Sequence, residues 1–253
     1  MVGPLSYIGG KRALAKRIIA MLPAHTTYVE AFAGGAQVLF HKEPSKVEVL
    51  NDLDGEVVNF YRVCQAHYEE LIRYLRFTLL SRQWFAILQK TPPESLTDIQ
   101  RAARYFYLQK SAYGGLVRRQ SYAIHVVQRQ NFSTARIADV LRHSHDRLQG
   151  VQIESLPYDE ILKRYDRPTT LFYLDPPYWG RTLYRYNFNS HDFEMLEEQL
   201  RSLRGKFVLS LNDVPEVRKL FHRFPIESVE LAYTAQRQSG NRYREVLITN
   251  FRR

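Results

Sequence analysis

Cysteine is nearly absent from this chain of 253 residues, Cys64 being the only one. A lone cysteine excludes an intrachain disulfide and every cysteine-built zinc site, and no metal is expected. Long apolar runs are missing as well. No stretch reaches the roughly 18 consecutive apolar residues of a membrane helix, so no contact with a membrane is expected. The opening MVGPLSYIGGKRALAKR lacks an apolar signal core, which leads to the expectation of a cytoplasmic protein.

Positive charge, by contrast, is in excess. Thirty-six Lys and Arg stand against 26 Asp and Glu, a net charge of +10. The excess is uneven: residues 101–150 hold nine Lys or Arg against two Asp, interleaved with Tyr105, Tyr107, Tyr113, Tyr122 and Phe132. Basic side chains mixed with aromatic rings point to nucleic acid.

Apolar, β-branched and aromatic runs at residues 26–31, 46–50, 151–154, 170–174, 206–211, 226–231 and 245–251 predict strands. Several are continuous rather than alternating, as in strands covered on both faces. Helical spacing falls between most of them, at 12–21, from Asp192 as N-cap, and at 215–221. The pattern defines an α/β sheet. Between residues 55 and 150 the alternation stops and helices are predicted at 55–75, 82–89, 97–112 and 133–148. The chain thus divides into an α/β domain, 1–54 with 151–253, and a helical insertion, 55–150, that carries the excess charge.

Three turns in the α/β part are candidate sites. In TYVEAFAGGA a strand runs into Phe32, Gly34 and Gly35, and a helix follows. Glycines beyond a strand's carboxyl end let a ligand approach the backbone, and the absence of a G-x-G-x-x-G or P-loop pattern removes the usual phosphate cradles. In VEVLNDLDGE the next strand delivers Asp52, placed to accept from ribose hydroxyls, while Asp52 or Asp54 caps the helix that follows. SYIGGK sets Tyr7 and Lys11 around a glycine turn.

The fourth candidate is TTLFYLDPPYWGR, where a buried strand ends on Asp175, two prolines and an aromatic pair. The prolines give up two backbone donors and restrict the residues before them. Asp175 and the Pro176 carbonyl form a two-acceptor receptor for an exocyclic amino group, with Tyr178 able to stack on the ring that bears it.

DPPY, taken with SYIGGK, FAGG and LND in this order and with the ending REVLITNF, resembles the Dam-type (D12 class) DNA adenine-N6 methyltransferases. The resemblance covers nearly the whole chain. It implies a Rossmann-like S-adenosylmethionine-dependent sheet with an inserted helical target-recognition domain, acting on double-stranded DNA. It places Tyr7 and Lys11 beside the methyl donor, Phe32 and Gly34 on its floor, and Asp52 at its ribose. In SLPYDEIL, Tyr158 or Asp159 matches the position flanking the donor's adenine. Asp175 and Pro176 then accept from the target N6, and Tyr178 stacks on the flipped base. AYGGLVRRQ is similar to the family's base-reading stretch through Tyr113, Gly115, Leu116, Arg118 and Gln120, with Arg118 or Arg119 reading a guanine. Arg129 belongs to the same basic group, and Arg181, Tyr184, Arg185 and Tyr186 are read as a flap. Gln120 stands where the family has Asn, and SYAIHVVQR replaces its Gly-x-Phe-Asn-x-Pro run, so recognition of GATC is not implied.

Cys64 lies in VCQA rather than after a proline, which excludes a cytosine-C5 mechanism. RNA adenine, cytosine N4 and a catalytically silent DNA-binding protein remain as alternatives.

Overall fold

The computed structural model of the chain describes residues 3–7, 9, 11–123, 134–231 and 243–252. Its centre is a seven-stranded sheet in the order β3-β2-β1-β4-β5-β7-β6. The strands are β1 (Thr27–Glu30), β2 (Val47–Asn51), β3 (Gln152–Glu154), β4 (Thr170–Leu174), β5 (Lys206–Asn212), β6 (Ile226–Leu231) and β7 (Tyr243–Thr249). Strands β1 to β5 pair in parallel, and β7 lies antiparallel between β5 and β6.

Every strand overlaps a predicted run, and the central β4, buried along its whole length, is apolar towards both covering layers. The pleat divides the side chains: Tyr28, Leu171, Tyr173 and Val208 join one core, while Val29, Phe172, Leu174 and Leu209 join the other. On the first face lie α1 (Ala15–Met21), α2 (Gln37–His41) and α3 (Gly55–Ala66). The same apolar core extends into α4 (Tyr68–Leu75), α5 (Arg82–Lys90), α6 (Asp98–Ser111) and α7 (Thr134–Leu148), which all fall between β2 and β3. On the second face lie α8 (Tyr158–Tyr165), α9 (Ser190–Ser202) and α10 (Pro215–Leu220).

Two local expectations are corrected, and one helix is added. The helix predicted over 55–75 is two helices, because His67, at φ −137° and ψ 37°, ends α3 and opens α4. Asp192 is not the N-cap of α9. Asn189 is, its side chain accepting from Asp192 N while the Asp192 carboxylate accepts from Asn189 N, a reciprocal capping box. Helix α8 was not anticipated.

Candidate active site

The parallel strands β2, β1 and β4 end side by side, and a cavity of about 500 Å³ opens beyond their carboxyl ends. This is where open α/β sheets bind ligands, since the diverging loops leave a crevice there. Asn51 fastens its floor: Nδ2 donates to Ala31 O (2.9 Å) and Leu156 O (3.0 Å), and Oδ1 accepts from Leu156 N (2.9 Å).

The end of β2 separates the two roles considered for its acids. Asp54 caps α3, accepting from Glu56 N at 3.0 Å. Asp52 faces the cavity, accepting from Gly34 N and Asp54 N at 2.8 Å each. Burial pushes the Asp52 carboxyl up to about 6, against the pull of those two donors. Gly34 itself has φ +44°, and a Cβ there would stand 2.9 Å from the Tyr7 ring. The glycine is therefore required twice, by its conformation and by the close packing of Tyr7.

Aromatic rings form the opposite walls. Phe32 and Tyr158 stack with centroids 5.8 Å apart, and Phe188 packs edge-on against Phe32 at the same distance. Tyr7 stacks on Tyr184 at 6.0 Å and 17°. Asp159 lines the cavity and also pairs with Lys163 at 3.1 Å.

At the tip of β4, Asp175 projects into the same cavity and meets Lys11 from the N-terminal turn. Lys11 Nζ donates to Asp175 Oδ1 and Tyr178 Oη at 2.7 Å each, and to Gly9 O at 3.0 Å. Burial disfavours the ammonium, yet Asp175 and Glu245 together raise its pKa and keep it protonated. Burial pushes Asp175 up to about 6, with Lys11 opposing the shift. The DPPY turn is also tied to β5, since Trp179 N donates to Asn212 Oδ1 at 2.9 Å and Asn212 Nδ2 to Trp179 O at 3.2 Å. Pro177 lines the cavity, and Pro176 between it and Asp175 is buried.

The segment after DPPY folds over the opening. Tyr184, Arg185 and Tyr186 line the cavity, Arg185 pairs with Asp54 at 3.4 Å, and Arg181 is exposed outside it. The basic stretch is further off but not remote. A Cβ on Gly115 would lie 3.0 Å from Ser6 O, so that stretch is seated on the backbone leading into Tyr7. Tyr113, Arg118 and Arg119 are exposed, while Gln120 is half-buried. Arg129 lies outside the described residues.

Two buried acids went unnoticed in the sequence. Glu30 at the end of β1 lines the cavity and accepts from Tyr28 Oη (2.9 Å) and Leu39 N (3.0 Å). Burial pushes it up to about 8 despite both donors. Glu245 on β7 lies 3.8 Å from Lys11 Nζ and accepts from Ser210 Oγ at 3.2 Å. The available signal was an acid inside an otherwise apolar strand, in YVEAF and REVLITN.

A sheet of this order, with an acid at the end of β2, a glycine turn after β1 and DPPY after β4, has the fold of an S-adenosylmethionine-dependent methyltransferase. The chain belongs to the family of D12 class N6 adenine-specific DNA methyltransferases, whose pattern matches residues 7–235. It is 24% identical to the type II methyltransferase M.CviBI of Paramecium bursaria Chlorella virus NC1A, over 93% of this chain and 92% of that protein. It is 26% identical to the type II methyltransferase M1.LlaDCHI of Lactococcus lactis subsp. cremoris, over 97% and 94%. The DNA N-6-adenine-methyltransferase of Escherichia phage P1 is 25% identical over 85% of this chain and 30% of that protein. The protein is thus an adenine-specific DNA methyltransferase. Among the described residues no helix is long and apolar enough to cross a membrane, and no group of His, Cys, Asp and Glu is placed to hold a metal ion.

Proposed function

We propose that the cavity takes S-adenosylmethionine at the β1–β2 end and a flipped-out adenine of double-stranded DNA at the β4 end, for work in the cytoplasm. The residues suit such a donor. A nucleoside needs an acceptor for its ribose, a flat apolar slot for its base and room against the backbone. Asp52, the Phe32–Tyr158 pair and Gly34 beside Tyr7 meet these needs. S-adenosylmethionine, when bound, supplies an electrophilic methyl on a sulfonium.

The chain's own task is to prepare the amine. Adenine N6 is conjugated with its ring and is a weak nucleophile. Asp175, together with the Pro176 carbonyl, accepts from its two hydrogens, which favours a more tetrahedral nitrogen with its lone pair directed outwards. Lys11 holds Asp175 in place at 2.7 Å and keeps it ionised at neutral pH. Tyr178, half-buried beside Asp175 with its hydroxyl tied to Lys11, offers its ring for stacking on the base. Positioning and fixed electrostatics then carry the transfer, without a covalent intermediate on the protein.

An adenine paired in a duplex cannot enter such a cavity, so the base is extruded at a cost of a few kcal/mol. Residues 55–150 act as the target-recognition part, with Tyr113 and Arg118 turned to the DNA, Gln120 fixing their loop from within, and basic groups offsetting the cost of extrusion.

The observation that carries this reading is that Asp175, anchored by Lys11, opens on the same cavity as Asp52 and the Phe32–Tyr158 pair. It is tested by incubating the protein with S-adenosylmethionine and unmethylated duplex DNA, or RNA, and quantifying modified nucleosides by mass spectrometry. N6-methyladenine in the duplex supports it. N4-methylcytosine, or methylation of RNA alone, overturns the substrate.

A further inference from the structure

A second, smaller cavity of about 210 Å³ lies between α6, the loop after it and the segment following DPPY. It is below the range of about 300–1,000 Å³ that holds a cofactor or drug-sized molecule, which rules out a nucleoside and leaves room for a small ion or group. Three guanidiniums line it: Arg104 from α6, Arg119 from the loop and Arg185 from the segment over the active site.

Arg104 is only 8% exposed. Its Nε donates to Leu88 O at 2.7 Å, and among the described residues it makes no ion pair. Burial works against its protonated form, and of the charges nearby Glu56 favours that form while Arg185 opposes it. A buried guanidinium with no carboxylate in direct contact, sharing its cavity with two more arginines, is suited to an anion. Tyr105 lines the same cavity, and its hydroxyl is buried with no hydrogen-bond partner among the described residues.

The loop is built to hold its arginine there. Gln120 Nε2 donates to Gln109 Oε1 at 2.6 Å and to Leu116 O at 2.7 Å, and Gln89 Nε2 donates to Gln120 O at 2.7 Å. Between these anchors Arg119 has φ +50°, a left-handed conformation that side chains other than glycine rarely take. Local strain of this kind collects at ligand-binding positions.

Arg185 also lines the active-site cavity, where it pairs with Asp54, so the two cavities share a wall. We propose that the small cavity receives one DNA phosphodiester, the phosphate flanking the extruded adenine, gripped by Arg104 and Arg119 while Arg185 exchanges Asp54 for it. This rests on the reading of the larger cavity as the methyl-transfer site. It also divides the basic pair of the loop: Arg119 holds backbone, and Arg118, which lines neither cavity, is left to read a base.

The test compares duplex binding by the wild type, Arg104→Gln and Arg119→Gln across a salt series, with donor affinity measured by calorimetry. Each variant is expected to weaken DNA binding and flatten the log–log salt slope by about 0.9, the share of one phosphate, with unchanged sequence preference and donor affinity. Arg119→Gln, on the surface loop, keeps the test valid should Arg104→Gln fold poorly. Once the methylated adenine is mapped, a methylphosphonate at its flanking phosphate should weaken the wild type by a larger factor than it weakens Arg119→Gln. Wild-type slopes in both variants, or fully additive losses with the methylphosphonate, overturn the phosphate site. A wild type that methylates no duplex overturns instead the reading on which it rests.

Discussion

Lys11 Nζ lies 2.7 Å from Asp175 Oδ1, although 164 residues separate them in the chain. The N-terminal turn and the DPPY tip are therefore one unit: the carboxylate proposed to receive the target amine is held by a lysine from the first turn of the fold. Glu245 approaches the same ammonium from β7 at 3.8 Å, so three distant segments converge on one charge.

Lys11→Met is expected to cost about 3–5 kcal/mol of stability, because it leaves Asp175 without its partner at a largely buried site. The double variant Lys11→Met, Asp175→Asn should regain much of that stability and none of the activity. Denaturant melts of the three proteins beside a methylation assay check this. A double variant no more stable than Lys11→Met would show that the ion pair is not what the single change disrupts.

Asp175 and Asp52 are both pushed up to about 6 by burial, and the roles proposed for them require both ionised. A pH profile of kcat/KM should therefore fall on the acid side near pH 6. Stability moves the other way. Between about pH 4 and 6 the native state keeps protons that the unfolded chain releases, so these two groups cost stability as pH rises through that window. Activity that stays flat to pH 5 in a folded protein would contradict the role given to either carboxylate.

Gly34→Ala places a methyl 2.9 Å from the Tyr7 ring at φ +44°. The backbone strain alone is about 1–2 kcal/mol, and the displaced Tyr7 adds to it. Donor affinity measured by calorimetry is expected to fall at least about tenfold, since 1.4 kcal/mol corresponds to that factor. Unchanged affinity would remove Gly34 and Tyr7 from the donor site.

Away from the site, Glu48 on β2 is gripped by Arg147 of α7 through two bonds of 2.5 and 2.9 Å and by Lys42 at 2.5 Å. It is 5% exposed, so Glu48→Gln leaves two cations poorly compensated. A loss of about 3–5 kcal/mol is expected in thermal or denaturant unfolding, with methylation per folded molecule unchanged below the transition. A loss of activity in fully folded protein would show that α7 serves the reaction as well as the fold.

The strands were legible because burial on both faces leaves little choice of residue, as Leu171 to Leu174 illustrates. Asp52 and Asp175 were legible for the opposite reason, being charges set just past apolar runs where an α/β sheet binds ligands. Glu30 closes β1 and Glu245 lies within β7, and an acid in a strand has no periodic signature. Helix α8 was missed because YDEILKRY buries only Ile161 and Leu162. Asp192 reads as the cap of α9 in the sequence because either end of a reciprocal capping box resembles a helix start. Arg104 had no signal at all, since an arginine on a helix looks solvated until the loop and the segment after DPPY close over it.

The central claim is that the Asp175 carboxylate prepares the target amine. It is tested most directly by single-turnover methylation of duplex adenine at saturating S-adenosylmethionine, comparing the wild type with Asp175→Ala and measuring donor affinity on the same samples. The account predicts donor binding within about tenfold of wild type and a rate lower by about 10²–10³ or more, the range for removing one fixed hydrogen-bonding group from a transition state. An Asp175→Ala protein that methylates adenine at the wild-type rate would contradict it.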